Sequence, residues 1–341
     1  MVTGKDIAAK TGYALSTVEK VLRGHGEKYK INGESCRKIL AAAKEMGYSK
    51  NEAAVITRTG VNPAIALFIT MASNMHSVAS KFIAGVMTEA SRNDYSVQMF
   101  GYREDLKEQL EKLPGKRIRK LIFIHDKNDL HSAMVTDFAK KNDLELIFIN
   151  DSSVSSDFYT VMTNDYAGVR SAIEFLLKNG HKKLGIVTAD YYPERLQGTR
   201  DALAAAGILW DDLLHIVHKR GIPYEELEEK ISLLLDGKDR PDAFWCFTDD
   251  IAMMVMMLAY QKNIRVPEEL SLIGYGNAYP IIEYASSPLT TVIQPFQKVG
   301  EMAVQLLLKY KKYMASPGEK VVRIPVELLV RNSVKNKNKG E

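Results

Sequence analysis

The 341-residue chain has only two cysteines and two tryptophans. Cys36 and Cys246 lie far apart and match no metal-ligand spacing, so neither a disulfide framework nor a cysteine-based metal centre is expected. Both read as thiols in a reducing compartment. No window approaches 18 uninterrupted apolar residues, which excludes a membrane-spanning helix and a membrane partner. Lys5, Asp6 and Lys10 interrupt the first ten residues, leaving no apolar signal-peptide core. A cytoplasmic location is the expectation. There is no glycine-rich phosphate loop followed by Lys-Ser/Thr and no G-x-S-x-G turn. None of the seven histidines pairs with Cys or His at metal spacing, and the carboxylates form no recognisable acid/base pair. No catalytic residue, cofactor or metal is therefore expected.

What is present is an ordinary globular composition, 46% hydrophobic and 26% charged, in a chain long enough for two or three domains. The charge is uneven. Residues 1–60 carry eleven basic against six acidic side chains, net +5, whereas the other 281 carry 35 against 36. A basic head on a neutral body points to a polyanion for the head alone, the alternative being a solvated basic surface.

Residues 5–23 read KDIAAKTGYALSTVEKVLR. Two short helical patterns are split by a turn containing Gly12, the signature of a helix-turn-helix. Helices this short are marginal alone, so Ile7, Ala8, Val18, Val21 and Leu22 must bury against a third helix. That helix is predicted over 32–46, capped by Asn32, with Ile39, Leu40, Ala43 and Met46 at helical spacing and Gly47 closing it. A braced pair of short helices is a rigid probe that fits a major groove; a plain helical hairpin is the alternative reading.

From Ala64 the texture changes. Short apolar runs (IALFIT, YSVQMF, KLIFIH, LELIFIN, LGIVT, HIVHK, AFWCF, LSLIGY) alternate with amphipathic helical stretches. This alternation predicts parallel sheets with right-handed crossovers, folded as two doubly wound lobes. IAMMVMMLAY reads as a buried helix, and Phe244 and Trp245 as core. Residues 1–48 form the all-α head, 49–63 a connector, 64–332 the α/β body and 333–341 a frayed polar tail.

Several segments resemble lactose-repressor-type (LacI/GalR) transcription regulators: KDIAAKTG, STVEKVL and ILAAAKEMGY in the head, then TNDYAGVRSA, NGHKKLGIV, ERLQGTRDALAAAGI, RPDAFWCFTDDIAM, IRVPEELSLIGYGN and SPLTTVIQP in the family's order. The resemblance runs from about residue 3 to 332. It implies a bacterial, nucleoid-associated homodimer that binds double-stranded operator DNA. Its body would be of the periplasmic-binding-protein-like type, holding a small effector, usually a sugar, between lobe one (about 64–159 plus 292–322) and lobe two (about 160–291 plus 323–332).

Carried over by position, the DNA contacts are Leu15, Ser16, Thr17 and Lys20 on the second helix, and Asn51, Ala54, Val55 and Arg58 in the connector. Lys20 stands where the family has Arg, and either donates to guanine or only touches phosphate. The effector contacts carried over are Asn74, His76, Asp165, Arg195, Asp249 and Asn277. Four of these have a plainer alternative: a solvated loop for Asn74 and His76, an N-cap for Asp165, a surface arginine for Arg195. Asp249 replaces a family Asn, and Asp250 reads as the cap of the next helix.

The chain also departs from the family. Ala14 replaces a serine N-cap, Glu19 a small polar residue, Lys50 a proline and Thr57 a leucine of the minor-groove wedge, so that a shifted register through Val55 or Ile56 and a less bent operator both remain open. Gly276 replaces an aspartate that anchors ligand hydroxyls, with Asn277 or Tyr279 as substitutes. A solute-binding protein for transport shares the two-lobed body but should carry a signal sequence and no basic head; a sugar-modifying enzyme should turn its ligand over.

Overall fold

A computed structural model describes residues 2–22, 24–48, 56–57, 60–71, 76–125, 129–150, 157–278, 280–284, 287–316 and 318–338. The chain divides into two compact units, Met1–Asn62 and Pro63–Glu341.

In the first unit, α1 (Gly4–Thr11), α2 (Leu15–Leu22) and α3 (Gly33–Glu45) enclose a small core of Ile7, Val18, Val21, Ile39, Ala42 and Ala43. Thr3 opens α1 by donating its N–H and hydroxyl to the Asp6 carboxylate, 2.8 and 2.7 Å. These bonds hold the Asp6 pKa below its ordinary value. Gly12 ends α1 at φ 74°, a left-handed conformation that costs glycine nothing, and the chain turns into α2. Ala14 precedes α2 and offers its carbonyl to the Thr17 and Val18 amides but has no side-chain acceptor for the helix N-terminus. Asn32 caps α3 through its side chain, accepting from the Glu34 N–H at 2.8 Å. Leu40, expected on the packed face, is instead 51% exposed. Ile39, Ala42 and Ala43 already fill that small core, and Leu40 lies one step around the helix from Ile39.

The second unit holds two six-stranded sheets. Lobe one contains β1 (Ala64–Thr70), α4 (His76–Arg92), β2 (Ser96–Tyr102), α5 (Leu106–Glu111), β3 (Lys120–Ile124), α6 (Asp129–Lys141), β4 (Glu145–Ile149) and β5 (Tyr159–Thr163). The chain then enters lobe two through α7 (Asp165–Lys178), β6 (Leu184–Ala189), α8 (Pro193–Ala205), β7 (His215–His218), α9 (Tyr224–Asp236), β8 (Ala243–Cys246), α10 (Asp249–Gln261), β9 (Ser271–Gly276) and β10 (Thr290–Ile293). It returns to lobe one for α11 (Phe296–Leu308), α12 (Tyr310–Met314) and β11 (Val321–Ile324), and finishes in lobe two with β12 (Glu327–Leu329).

The sheet orders are β11-β5-β4-β3-β1-β2 and β12-β10-β9-β8-β6-β7; all pairings are parallel except β10 with β12. The chain thus crosses between lobes at Asn164, at Gln294–Pro295 and at Pro325. Each crossing lies a few residues beyond the boundary expected from the sequence. The strands continue until an element that cannot extend the ladder intervenes: Asn164, which caps α7, or a proline without an N–H.

The lobe cores are strand residues buried on both faces. Lobe two packs Phe244, Trp245, Ile273 and Val292 with Val169, Ile173, Val255 and Ala259. On one face of lobe one, α4 and α11 bring Phe82 against Phe296, ring centroids 5.2 Å apart and nearly perpendicular. Gly85 and Gly300 lie at this crossing, where a Cβ on either would overlap the backbone of the facing helix. The methionine-rich α10 is a buried helix, as its pattern suggests, with Val255 and Met256 inside and Met257 outward.

The polar tail is not frayed through Asn338. Ser333 is fully buried; its hydroxyl donates to the Leu272 carbonyl at 2.6 Å and accepts from the Thr290 N–H at 2.8 Å. The Leu272 N–H in turn donates to the Ser333 carbonyl at 2.7 Å. Further along, His181 Nε2 lies 3.0 Å from the Lys335 carbonyl, and Lys337 Nζ reaches Asp242 at 2.6 Å. Burial alone would raise the Asp242 pKa, but hydrogen bonds from His181 and Lys337 outweigh it and hold it at about 2. Ser333→Ala leaves the Thr290 N–H buried without that acceptor, a cost of about 1–3 kcal/mol. Thermal denaturation should show a fall of a few degrees; an unchanged midpoint would mean that the tail rests on the sheet without holding it.

Candidate functional sites

In parallel sheets the backbone after each strand gathers at one edge, and this is where open α/β sheets place their ligands. In lobe two that edge collects Tyr192 and Arg195 after β6, Phe247 and Asp249 after β8, Asn277 after β9 and Gln294 after β10. Thr163 and Asp165 join them from the crossing after β5.

Arg195 is the centre of this group and is only 4% exposed, which removes the surface-arginine alternative. Its Nε donates to Asp165 Oδ2 at 2.7 Å, one terminal nitrogen donates to the Phe247 carbonyl, and the other donates to Gln294 Oε1 at 3.0 Å. The guanidinium carbon lies 4.3 Å from the Tyr192 ring centroid and 4.0 Å from that of Tyr275, so the cation is sandwiched between two π faces. Burial is the largest influence and works against its charge; the Asp165 carboxylate and the other neighbours together outweigh it and raise its pKa. Burial likewise pushes the Tyr192 and Tyr275 hydroxyls up, so both stay neutral.

Asp165 is not the N-cap of its helix. Asn164 caps α7, accepting from the Ala167 N–H at 3.2 Å, and the Asp165 carboxylate is taken up by the network around Arg195. Its Oδ1 accepts from the Thr163 hydroxyl at 2.6 Å, the Gln294 amide at 3.0 Å and the Tyr275 hydroxyl at 3.1 Å. The sequence reading passes over Gln294, Thr163 and Tyr275 as site residues. Gln294 lies inside the SPLTTVIQP motif, a signal that could have marked it.

Asp249 opens α10 and accepts from the Thr291 hydroxyl and, at 3.2 Å, from the Ala278 N–H. Burial raises its pKa above the usual carboxylate range, and hydrogen bonds from Thr291 and from the Ala278 and Asn277 backbone only partly offset that. The N-cap of α10 is Thr248, not Asp250, because the helix starts one residue earlier than its pattern suggests. Asn277 sits at φ 50°; Arg331 donates to its Oδ1 at 3.1 Å, and Lys81 of lobe one donates to its carbonyl at 3.0 Å. Its side chain is thus a fixed part of the edge. Asn74 and Tyr279 lie outside the described residues, as does the side chain of His76, the first residue of α4.

On the head, Val18 and Val21 turn α2 inward, while Ser16 is exposed and Lys20 half-exposed on the opposite side, one turn apart. Leu15 and Thr17 flank this face, Leu15 half-exposed and Thr17 likewise. Lys20 Nζ lies 4.5 Å from the centroid of the Tyr29 ring. Asn51, Ala54, Val55 and Arg58 lie outside the described residues, which leaves the wedge question at Val55, Ile56 and Thr57 untouched. Among the described residues, no group of three or more His, Cys, Asp or Glu could hold a metal ion, and no helix is long and apolar enough to cross a membrane.

Residues 173–334 match the model of the periplasmic binding protein-like domain. Over 99% of this chain and 100% of the relative, the sequence is 28% identical to the HTH-type transcriptional repressor PurR of Photobacterium profundum. It is 27% identical to the ribose operon repressor of Haemophilus influenzae, over 91% of this chain and 92% of that one. Along nearly its whole length the chain is similar to transcriptional repressors of the lactose-repressor type. The same fold is seen in the lac repressor dimer bound to operator and the anti-inducer ONPF, with a TM-score of 0.73, 21% identity and coverage of 98% and 99% of the two chains. A complex of the regulator CelR with cellobiose gives a TM-score of 0.69 at 21% identity, over 98% of this chain and 100% of that one. The relatives are repressors rather than enzymes.

At the strand-end edge of lobe two, Asp249 supplies a buried carboxylate and Gly276 a position with no side chain. Two outcomes follow from the geometry. Arg195→Met leaves Asp165 buried without its cation and should cost about 3–5 kcal/mol in chemical denaturation, with much of that loss recovered by adding Asp165→Asn. Additive losses would show that the two residues do not act as a pair. For Asp249, a carboxyl whose pKa is raised on folding stabilises the fold when protonated, and that contribution is lost as pH rises through the folded pKa. Wild-type protein should therefore gain stability relative to Asp249→Asn as the pH falls from 7 toward 4; parallel stability curves would contradict the burial argument.

Proposed function

We propose that this protein is a sequence-specific DNA-binding transcriptional regulator, a repressor, acting as a homodimer whose operator affinity is set by a small carbohydrate-like effector held between the lobes of its body. The observation that carries this reading is one chain joining a net +5 three-helix head to a two-lobed α/β body crossed three times by its own backbone. Two heads on a dimer would address half-sites about one helical turn, roughly 34 Å, apart.

The names of the relatives support the reading: PurR and the ribose operon repressor are named as repressors, and solved neighbours hold operator DNA or cellobiose. The three crossings supply the moving part. Segments at Asn164, Gln294–Pro295 and Pro325 can absorb rotation of one lobe against the other, and an effector that favours one lobe arrangement shifts the population toward it. The shift cannot exceed the effector's differential affinity for the two arrangements.

A transport solute-binding protein would share the body, but nothing in such a role uses a helix-turn-helix with Ser16 and Lys20 on its open face. Two measurements test the proposal. Full-length protein should enrich a defined duplex from a random-sequence library and prefer it over random DNA in 150 mM salt; no enrichment would end the proposal. A thermal-shift screen of sugars, sugar phosphates and nucleobases should find a ligand that raises the midpoint. At 100 times its dissociation constant such a ligand adds about 2.7 kcal/mol. The same ligand must change affinity for the enriched duplex; binding without that change would leave the body uncoupled from DNA.

A further inference from the structure

Lysine at position 20 poses a physical problem. Its ammonium is a point charge on a flexible stem, without the planar fork that lets arginine address two acceptors of a guanine at once. A lysine free to wander would contact phosphates as readily as bases. The structure constrains it. Lys20 Nζ lies 4.5 Å from the Tyr29 ring centroid, with Lys28 Nζ at 6.0 Å from the same ring.

Tyr29 belongs to the loop between α2 and α3, and that loop is held by its own backbone. The His25 N–H donates to the Lys20 carbonyl at 2.9 Å, the Tyr29 N–H to the His25 carbonyl at 3.1 Å and the Ile31 N–H to the Gly26 carbonyl at 2.9 Å. The loop also packs on α3, since a Cβ at Gly26 would meet Cys36 Sγ at 2.7 Å. The tyrosine is 49% exposed, and His25 tilts against it with ring centroids 6.3 Å apart. The ring is a fixed platform beside the open face of α2.

We infer that Tyr29 is a positioning residue that determines operator specificity: by holding the Lys20 ammonium over its π face, it restricts that side chain to the direction in which it reads base edges. The inference rests on the proposed DNA-binding role. It adds that the reading set of α2 includes a residue outside the helix, and that the Lys20–Tyr29 pair does the work of one arginine.

The test uses full-length protein, the duplex enriched from a random library by the wild type, and random duplex as reference. Tyr29→Ala should lower the ratio of enriched-duplex to random-duplex affinity by about two- to fivefold, the range expected of one cation–π contact at a partly exposed site. Binding to random DNA and its salt slope should stay unchanged, because no phosphate contact is lost. Tyr29→Phe keeps the π face and should keep the ratio. In a Lys20→Ala background, Tyr29→Ala should cost nothing more, and Lys20→Arg should restore the ratio in the Tyr29→Ala protein.

An equal loss on both duplexes would overturn the inference, as would a loss in Tyr29→Phe that matches Tyr29→Ala, which would make the hydroxyl a phosphate contact. If Tyr29→Ala perturbs the head, seen by circular dichroism, Tyr29→Leu retains apolar bulk without the aromatic face, and its ratio must fall likewise. A wild type that enriches no sequence would remove the DNA-binding proposal itself, and this inference with it.

Discussion

A charge buried away from water must find its counter-charge and its hydrogen-bond partners, and in this protein that demand fixes the geometry where the lobes are joined. Arg195 comes from α8, Asp165 from the start of α7, the Phe247 carbonyl from the end of β8 and Gln294 from the crossing after β10. Thr163 and Asp165 flank Asn164, the crossing after β5. One guanidinium therefore ties two of the three crossings to the edge of the lobe-two sheet. An interaction of this kind is worth less as net stability than as a constraint. Its cost when broken forces the strand ends into one arrangement, and the edge that would face an effector takes its shape from that arrangement.

The same constraint marks the limit of what the sequence discloses. The alternation of apolar runs and helical stretches reveals the parallel lobes because period and length are local properties of the chain. Gly12, Asn32 and the buried face of Val18 and Val21 are legible for the same reason. The partner of Arg195 is not local: Asp165 lies thirty residues away, and its proximity to Asn164 makes a cap as good a reading as a ligand contact. The end of the chain misleads for a related reason. NSVKNKNKGE is polar enough to suggest a solvated tail, yet a serine hydroxyl that donates and accepts can be buried where its partners are backbone groups at the starts of interior strands, as Ser333 is. Composition reports whether a segment prefers water; it does not report whether strand ends elsewhere have backbone groups for it to satisfy.

In the head, a three-helix frame resembling that of the lactose-repressor type carries a different distribution of side chains. Ala14 removes a side-chain cap from α2, and Lys20 replaces a fork by a point charge. Thr3 with Asp6 secures the start of α1, and the Gly24–Lys30 loop sets an aromatic ring beside Lys20. Organisation that the usual sequence places within the helix is supplied here by its neighbours. Sequence comparison registers the lost residues readily and the compensating ones poorly, because the latter sit at positions with no counterpart function to match.

The contact between Gly85 and Gly300 also has a mechanical meaning. At Gly85 and Gly300 the two backbones meet with no side chain between them, and the Phe82–Phe296 ring contact locks the crossing beside them, which couples α4 closely to α11. The N-terminal end of α11 begins directly after the crossing at Gln294–Pro295, and Gln294 is held by Arg195. The crossing at Gln294–Pro295 is thereby linked to α4 through a close helix–helix contact. That contact is a short mechanical path from the strand ends of lobe two to the first helix of the opposite lobe.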